Sequence, residues 1–209
     1  MMQNLSDAMA QSGREPHEPG LRAAYGSIPR TPLVLICCPM GKAINHGGLL
    51  RLAEAFRLEH VYFETESDNR YDLAGTTGAH FWQPYRLEPA VDAIRRVKAS
   101  GHRVYCMSLD EDALPLQKAE WKFPAAIVLG EELTGVPDEV HELCDVTVAM
   151  PLYGLVTSLN VGQAAAIAVY HAVGAYAEQN PEFEPVRNAS RHLLGLDTAK
   201  YLSEPEETT

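Results

Sequence analysis

Short apolar runs alternating with amphipathic segments recur along the middle of this chain, and that alternation restricts its fold more than any other feature. Leu33–Cys38, His60–Phe63, Arg103–Met107, Ala125–Leu129 and Asp145–Val148 read as buried strands, too short for helices and rich in β-branched or aromatic residues. Helical patterns lie near 47–58, 89–99, 136–143 and 159–176, the second opening with Pro89 and closing before Gly101. Such alternation predicts an α/β fold, a mainly parallel sheet with helices on both faces. Ligands of these sheets bind beyond the carboxyl ends of the strands, here the loops after Cys38, Met107, Leu129 and Val148.

The length of 209 residues suits one domain with tails. Residues 1–30 lack sustained periodicity and read as a flexible arm, residues 31–177 as the domain, and residues 178–209 as an acidic tail in which only 191–202 suggests a short helix. Apolar residues at 46% and charged residues at 22% describe an ordinary globular protein rather than a disordered or fibrous one. No run approaches the ~18 apolar residues of a membrane span, and the first thirty residues lack a signal-peptide core. The expectation is a cytoplasmic protein with no membrane partner.

Cys37, Cys38, Cys106 and Cys144 sit in or beside apolar runs, without a CxxC pair or metal-ligand spacing, so buried reduced thiols and no metal site are expected. A net charge of -11 opposes non-specific coating of nucleic acid but leaves room for a local basic face. Arg86, Arg95, Arg96, Lys98 and Arg103, with Lys42 and Arg51, are the candidates, and a merely solvated helix face is the alternative.

Three segments carry possible chemistry. In the first, Leu49, Leu52, Ala53 and Phe56 form a helical stripe that Arg51 falls off. Asn45 or the adjacent Gly47 and Gly48 would shape that helix's start, where free N–H groups favour an anion, and Arg51 would either clamp the anion or pair with Glu54. In the second, Gly130 follows a strand and permits close approach of a ligand to the backbone, with Glu131 and Glu132 beside it. In the third, Ser158 would cap a helix from about Leu159 that is apolar almost all round and must be buried in the core or against another subunit. Asn160 and Gln163, polar amides at the mouth of that helix, require partners. No GxGxxG, P-loop or GxSxG element is present, which disfavours a dinucleotide site, an NTPase and a serine hydrolase.

In this order and spacing the three segments resemble the signatures of the SpoU (TrmH-type) branch of the SPOUT RNA methyltransferases. Asn45, Gly47, Leu49 and Arg51 match the first; Leu129, Gly130, Glu132, Gly135 and Val136 the second; Pro151, Gly154, Ser158, Leu159, Asn160 and Val161 the third. Lys42 and Ala43 stand where that family often has Asn-Pro, and Gly162 where it usually has Ser.

The resemblance implies a SPOUT-type trefoil-knot domain that binds S-adenosylmethionine, forms a homodimer and methylates a ribose 2′-hydroxyl in RNA, with tRNA favoured over rRNA. It implies Arg51 as the catalytic residue with Asn45, Glu132, Ser158 and Asn160 around it, and Leu109, Gly130, Met150, Ser158 and Leu159 against the cofactor. The alternative is a catalytically idle knotted-dimer RNA-binding or assembly factor, which would have no reason to keep that residue set intact.

Overall fold

The computed structural model describes residues 29–42, 44–64, 75–110, 112–131 and 134–183. The expected arm through residue 28, the tail from residue 184 with its short helix, and Glu132 lie outside the described residues.

Seven parallel strands form one sheet: β1 (Thr31–Cys37), β2 (Leu58–Phe63), β3 (Tyr85–Leu87), β4 (Arg103–Met107), β5 (Leu114–Pro115), β6 (Ala125–Leu129) and β7 (Val146–Ala149), in the order β3-β2-β1-β6-β4-β7-β5. Among the described residues four α-helices accompany them: α1 (Ile44–Ala55), α2 (Ala90–Ala99), α3 (Asp138–His141) and α4 (Val161–Gln179).

Strand β1 shows why its run is continuously apolar. Leu33, Leu35 and Cys37 join the core under α1 and α4, while Val34 and Ile36 join the core under α2 and α3. A strand covered on both faces has no polar alternation to offer. The parallel α/β expectation holds, and the four cysteines are free, three buried and Cys144 half-buried.

Two local expectations need correction. The first helix begins at Ile44 rather than near 47, so Gly47 and Gly48 lie within it and Asn45 is a buried helical residue, not its cap. The last helix begins at Val161, and its cap is Asn160, whose side-chain oxygen accepts from the Gly162 N–H at 2.9 Å, rather than Ser158. Of the seven candidate basic residues three are ion-paired, Arg95 to Asp92, Arg96 to Glu88 and Lys98 to Asp145, in line with the solvated-face alternative. Those side chains belong to a solvated ion-paired face.

Helix α4 buries Val161, Ala165, Ala168, Val169, Ala172 and Val173. Its opposite stripe, Gln163, Ile167, Tyr170 and Gly174, is exposed at helical spacing.

Candidate active site

The loops at the carboxyl ends of β4, β6 and β7 converge on a cleft of about 460 Å³. Ser108, Leu109 and Asp110 come from the first, Gly130, Glu131, Thr134 and Gly135 from the second, and Met150, Leu152, Ser158 and Leu159 from the third. Asp138 and His141 of α3 and Val161 and Ala164 of α4 complete the wall. All five residues expected against a cofactor, Leu109, Gly130, Met150, Ser158 and Leu159, therefore line one cavity. The loop after β1 does not; it lines a neighbouring recess of about 180 Å³ together with Glu131, Thr134 and Gly135.

Gly130 is required by the backbone that faces it. A Cβ there would lie 2.2 Å from both the carbonyl carbon and oxygen of Gly135. The close approach is fixed by a reciprocal pair of hydrogen bonds, Glu131 N–H to Gly135 O at 3.1 Å and Gly135 N–H to Glu131 O at 3.0 Å, with Gly135 at φ 72°. The Thr134 hydroxyl donates to Glu131 Oε2 at 2.9 Å, tightening the same turn.

The cleft combines apolar walls with polar side chains. Leu129, Met150, Leu152, Leu159 and Val161 supply surface for a flat ring or a thioether-like chain, and the strand-end backbone supplies N–H and C=O groups. Asp110 and His141 were not anticipated from the sequence. Their side chains approach at 3.3 Å, and His141 Nε2 also lies 3.0 Å from Thr147 Oγ1. An aspartate two residues past a strand-end serine was the only signal, and His141 carried none. This donor and acceptor set, in a space of this size, fits S-adenosylmethionine: carboxylates suit an ammonium or ribose hydroxyls, and the backbone suits a purine edge. Among the described residues no cluster of His, Cys, Asp or Glu could hold a metal ion.

Two of the expected catalytic residues meet directly. Asn160 Nδ2 donates to Asn45 Oδ1 at 3.2 Å, joining the start of α4 to the first turn of α1. Asn160 lies in the chain between Leu159 and Val161, both of which line the cleft.

Arg51 stands apart on the exposed face of α1, outside the cleft lining. Its Nη1 donates to Thr77 Oγ1 at 3.3 Å, not to Glu54. The segment that bears Thr77 is pinned by a 2.7 Å contact between Thr76 Oγ1 and His80 Nδ1, and burial holds the His80 imidazole below its ordinary pKa.

The sequence profile of the SpoU rRNA Methylase family matches residues 32–170. The chain is 26% identical over 170 residues to the tRNA (guanosine(18)-2′-O)-methyltransferase of Escherichia coli K12, covering 76% of this chain and 74% of that protein. It is 34% identical over 133 residues to the 23S rRNA (guanosine(2553)-2′-O)-methyltransferase of Bacillus subtilis, covering 62% of this chain and 53% of that one. The crystal structure of the A. aeolicus TrmH/SpoU tRNA modifying enzyme has the same fold, with a TM-score of 0.70 at 20% identity, covering 88% of this chain and 96% of that chain.

Proposed function

The chain belongs to the SpoU rRNA methylase family, and from that premise we propose that it is an S-adenosylmethionine-dependent methyltransferase acting on a ribose 2′-hydroxyl of RNA, with tRNA as its substrate. The observation that carries this reading is the convergence of Leu109, Gly130, Met150, Ser158 and Leu159, distant in sequence, on a single cleft beside the Asn45–Asn160 link. The preference for tRNA rests on the E. coli relative, which aligns over about three quarters of both chains and is named for tRNA. Both named relatives modify guanosine, so guanosine is the first nucleoside to examine. The trefoil knot is part of this proposal, taken from the family.

The cofactor, when bound, supplies an electrophilic sulfonium methyl group. The protein's part is alignment, because the ribose oxygen must attack in line while losing its proton. The backbone around Gly130 and the apolar wall of Met150 and Leu159 fix the donor end. Asn45 and Asn160, bonded to each other, tie α1 to the start of α4, and Ser158 presents a hydroxyl within the cleft. A guanidinium has five donors and no acceptor. Arg51 lies outside the cleft, which suits a group gripping the phosphate beside the target ribose rather than one removing its proton.

The protein acts as a homodimer in this reading, in the cytoplasm where unmodified RNA is processed. The exposed α4 stripe supports the dimer: Ile167 is 47% and Tyr170 71% exposed, in a helix whose other face is fully packed. Sedimentation at micromolar concentration should give a dimer, and Ile167→Glu with Tyr170→Glu should give a folded monomer. A monomeric wild type would remove this part of the proposal.

The deciding experiment incubates the protein with methyl-labelled S-adenosylmethionine and separate pools of unmodified tRNA and rRNA, followed by digestion to nucleosides. Ribose-methylated guanosine from the tRNA pool is expected. Label in rRNA alone would move the substrate, and no label in either pool with cofactor binding intact would overturn the enzymatic reading.

A further inference from the structure

The short segment after β2 that packs against α1 concentrates unusual backbone. Gly75, Thr77 and Gly78 have φ of 82°, 51° and 84°. Among the described residues, Thr77 and Arg57 are the two non-glycine residues with positive φ. A β-branched side chain is poorly suited to that region, where glycine or asparagine would sit without strain. Residues held this way persist only where their surroundings impose the conformation, and they gather at functional sites.

The surroundings here do impose it. Thr76 is buried, its hydroxyl lies 2.7 Å from His80 Nδ1, and its carbonyl accepts from the Ala79 N–H at 2.9 Å. Gln83 N–H bonds the Ala79 carbonyl at 2.8 Å, while the Gln83 side chain donates to Leu58 O at 3.1 Å, tying the segment to β2. Thr77 is thereby held with its hydroxyl toward α1. That hydroxyl donates to Gly75 O at 3.4 Å and accepts from Arg51 Nη1 at 3.3 Å. With its proton directed at a carbonyl, the oxygen turns its lone pairs to the guanidinium.

We infer that Thr77 is a positioning residue for Arg51: the hydroxyl fixed by this left-handed turn orients the guanidinium toward the RNA, and so sets turnover without touching the cofactor. The inference rests on the proposed role of Arg51 and adds a residue that none of the three sequence signatures contains. On this inference the threonine at a glycine-like backbone position supplies the side-chain oxygen that a glycine there would lack.

The test compares Thr77→Val, which keeps the shape and loses the acceptor, with Thr77→Ser, which keeps the acceptor. Methyl transfer to unmodified total tRNA should show kcat reduced by about tenfold or more in Thr77→Val, with KM for S-adenosylmethionine within about twofold of wild type. Thr77→Ser should restore turnover to within about threefold. A second readout needs no activity: the Arg51 Nε–H resonance in a 15N-labelled full-length protein should be distinct and ordered in wild type and Thr77→Ser, and averaged in Thr77→Val. Should Thr77→Val fail to fold, Thr77→Gly, which relieves the backbone and also lacks the hydroxyl, must show the same losses. Wild-type turnover in a folded Val or Gly variant, or an unchanged Arg51 resonance, would overturn the inference. A wild type that methylates no RNA would instead sink the proposed function, and the resonance comparison would still decide the role of Thr77.

Discussion

Asn160 closes two gaps with one side chain: its oxygen caps α4 by accepting from Gly162 N–H, and its nitrogen donates to Asn45 on α1 at 3.2 Å. The residue is therefore both a helix terminus and a tie between segments 115 residues apart. Its two functions can be separated by substitution. Asn160→Ala should lose both, costing about 1–2 kcal/mol in urea unfolding. Asn160→Asp retains an N-cap of equal quality but sets a carboxylate against Asn45 Oδ1. Its methyl-transfer rate should fall well before its stability does; equal losses in both would show that the Asn45 contact has no role beyond holding α4.

Gly130→Ala should be severely damaging, because its Cβ meets backbone rather than a flexible side chain. Overpacking of this kind costs about 1–3 kcal/mol, and the displaced strand-end loop forms one wall of the cleft. Titration with S-adenosylmethionine should show weakened binding even where the variant remains folded. Unchanged affinity would place the cofactor elsewhere.

Two histidines predict a pH dependence of stability. Burial, and for His60 also the Arg86 charge, holds the imidazoles of His60 and His80 below their ordinary pKa. The Nε2 of each is enclosed without a hydrogen-bond partner. With the folded-state pKa below the unfolded value, the unfolded chain binds protons more readily between the two. Their contribution is complete above about pH 6.5 and is lost as pH falls through the depressed folded values. The urea midpoint should drop between about pH 7.5 and 5.5, and the drop should be smaller in His60→Gln.

The four thiols should react in a set order. Burial raises the pKa of Cys37, and burial together with Glu64 and Cys144 pushes that of Cys38 up to about 12. Cys106, hydrogen-bonded to Cys144 and buried, is also raised, whereas that same bond lowers Cys144. Only a thiolate alkylates readily. Limited iodoacetamide treatment of the native protein near about pH 8, followed by peptide mass spectrometry, should find Cys144 modified first. Cys37 labelled ahead of it would contradict this packing.

The sheet's interior was legible because β1 and β6 are almost continuously apolar and buried, and β2, β4 and β7 each carry a shorter apolar run. Strands β3 and β5 were not: Tyr85–Leu87 and Leu114–Pro115 are short edges with partly exposed side chains, and a proline suggests no strand. The start of α4 was misjudged because Ser158 and Asn160 are both good caps, and only the fold reveals which one meets the free N–H of Gly162. Likewise Gly47 and Gly48 suggested a helix start, but the contacts that bury Asn45 and His46 extend α1 backward past them. The polar amide flagged at Asn160 did find its buried partner. The Asp110–His141 pair and Thr77 escaped notice because each gains its meaning from a neighbour supplied by another part of the chain.

The strand order also bears on how the protein is made. Strand β1 can pair early with β2, but its other edge belongs to β6, which begins at Ala125. During synthesis the apolar segment Leu33–Cys37 therefore leaves the ribosome with one edge open, and stays so until β6 has emerged. Parallel pairing over such separation is slow and exposes sticky intermediates. Recovery of native protein should depend strongly on temperature and on chaperone supply during expression, even though the finished sheet leaves β1 no edge to offer.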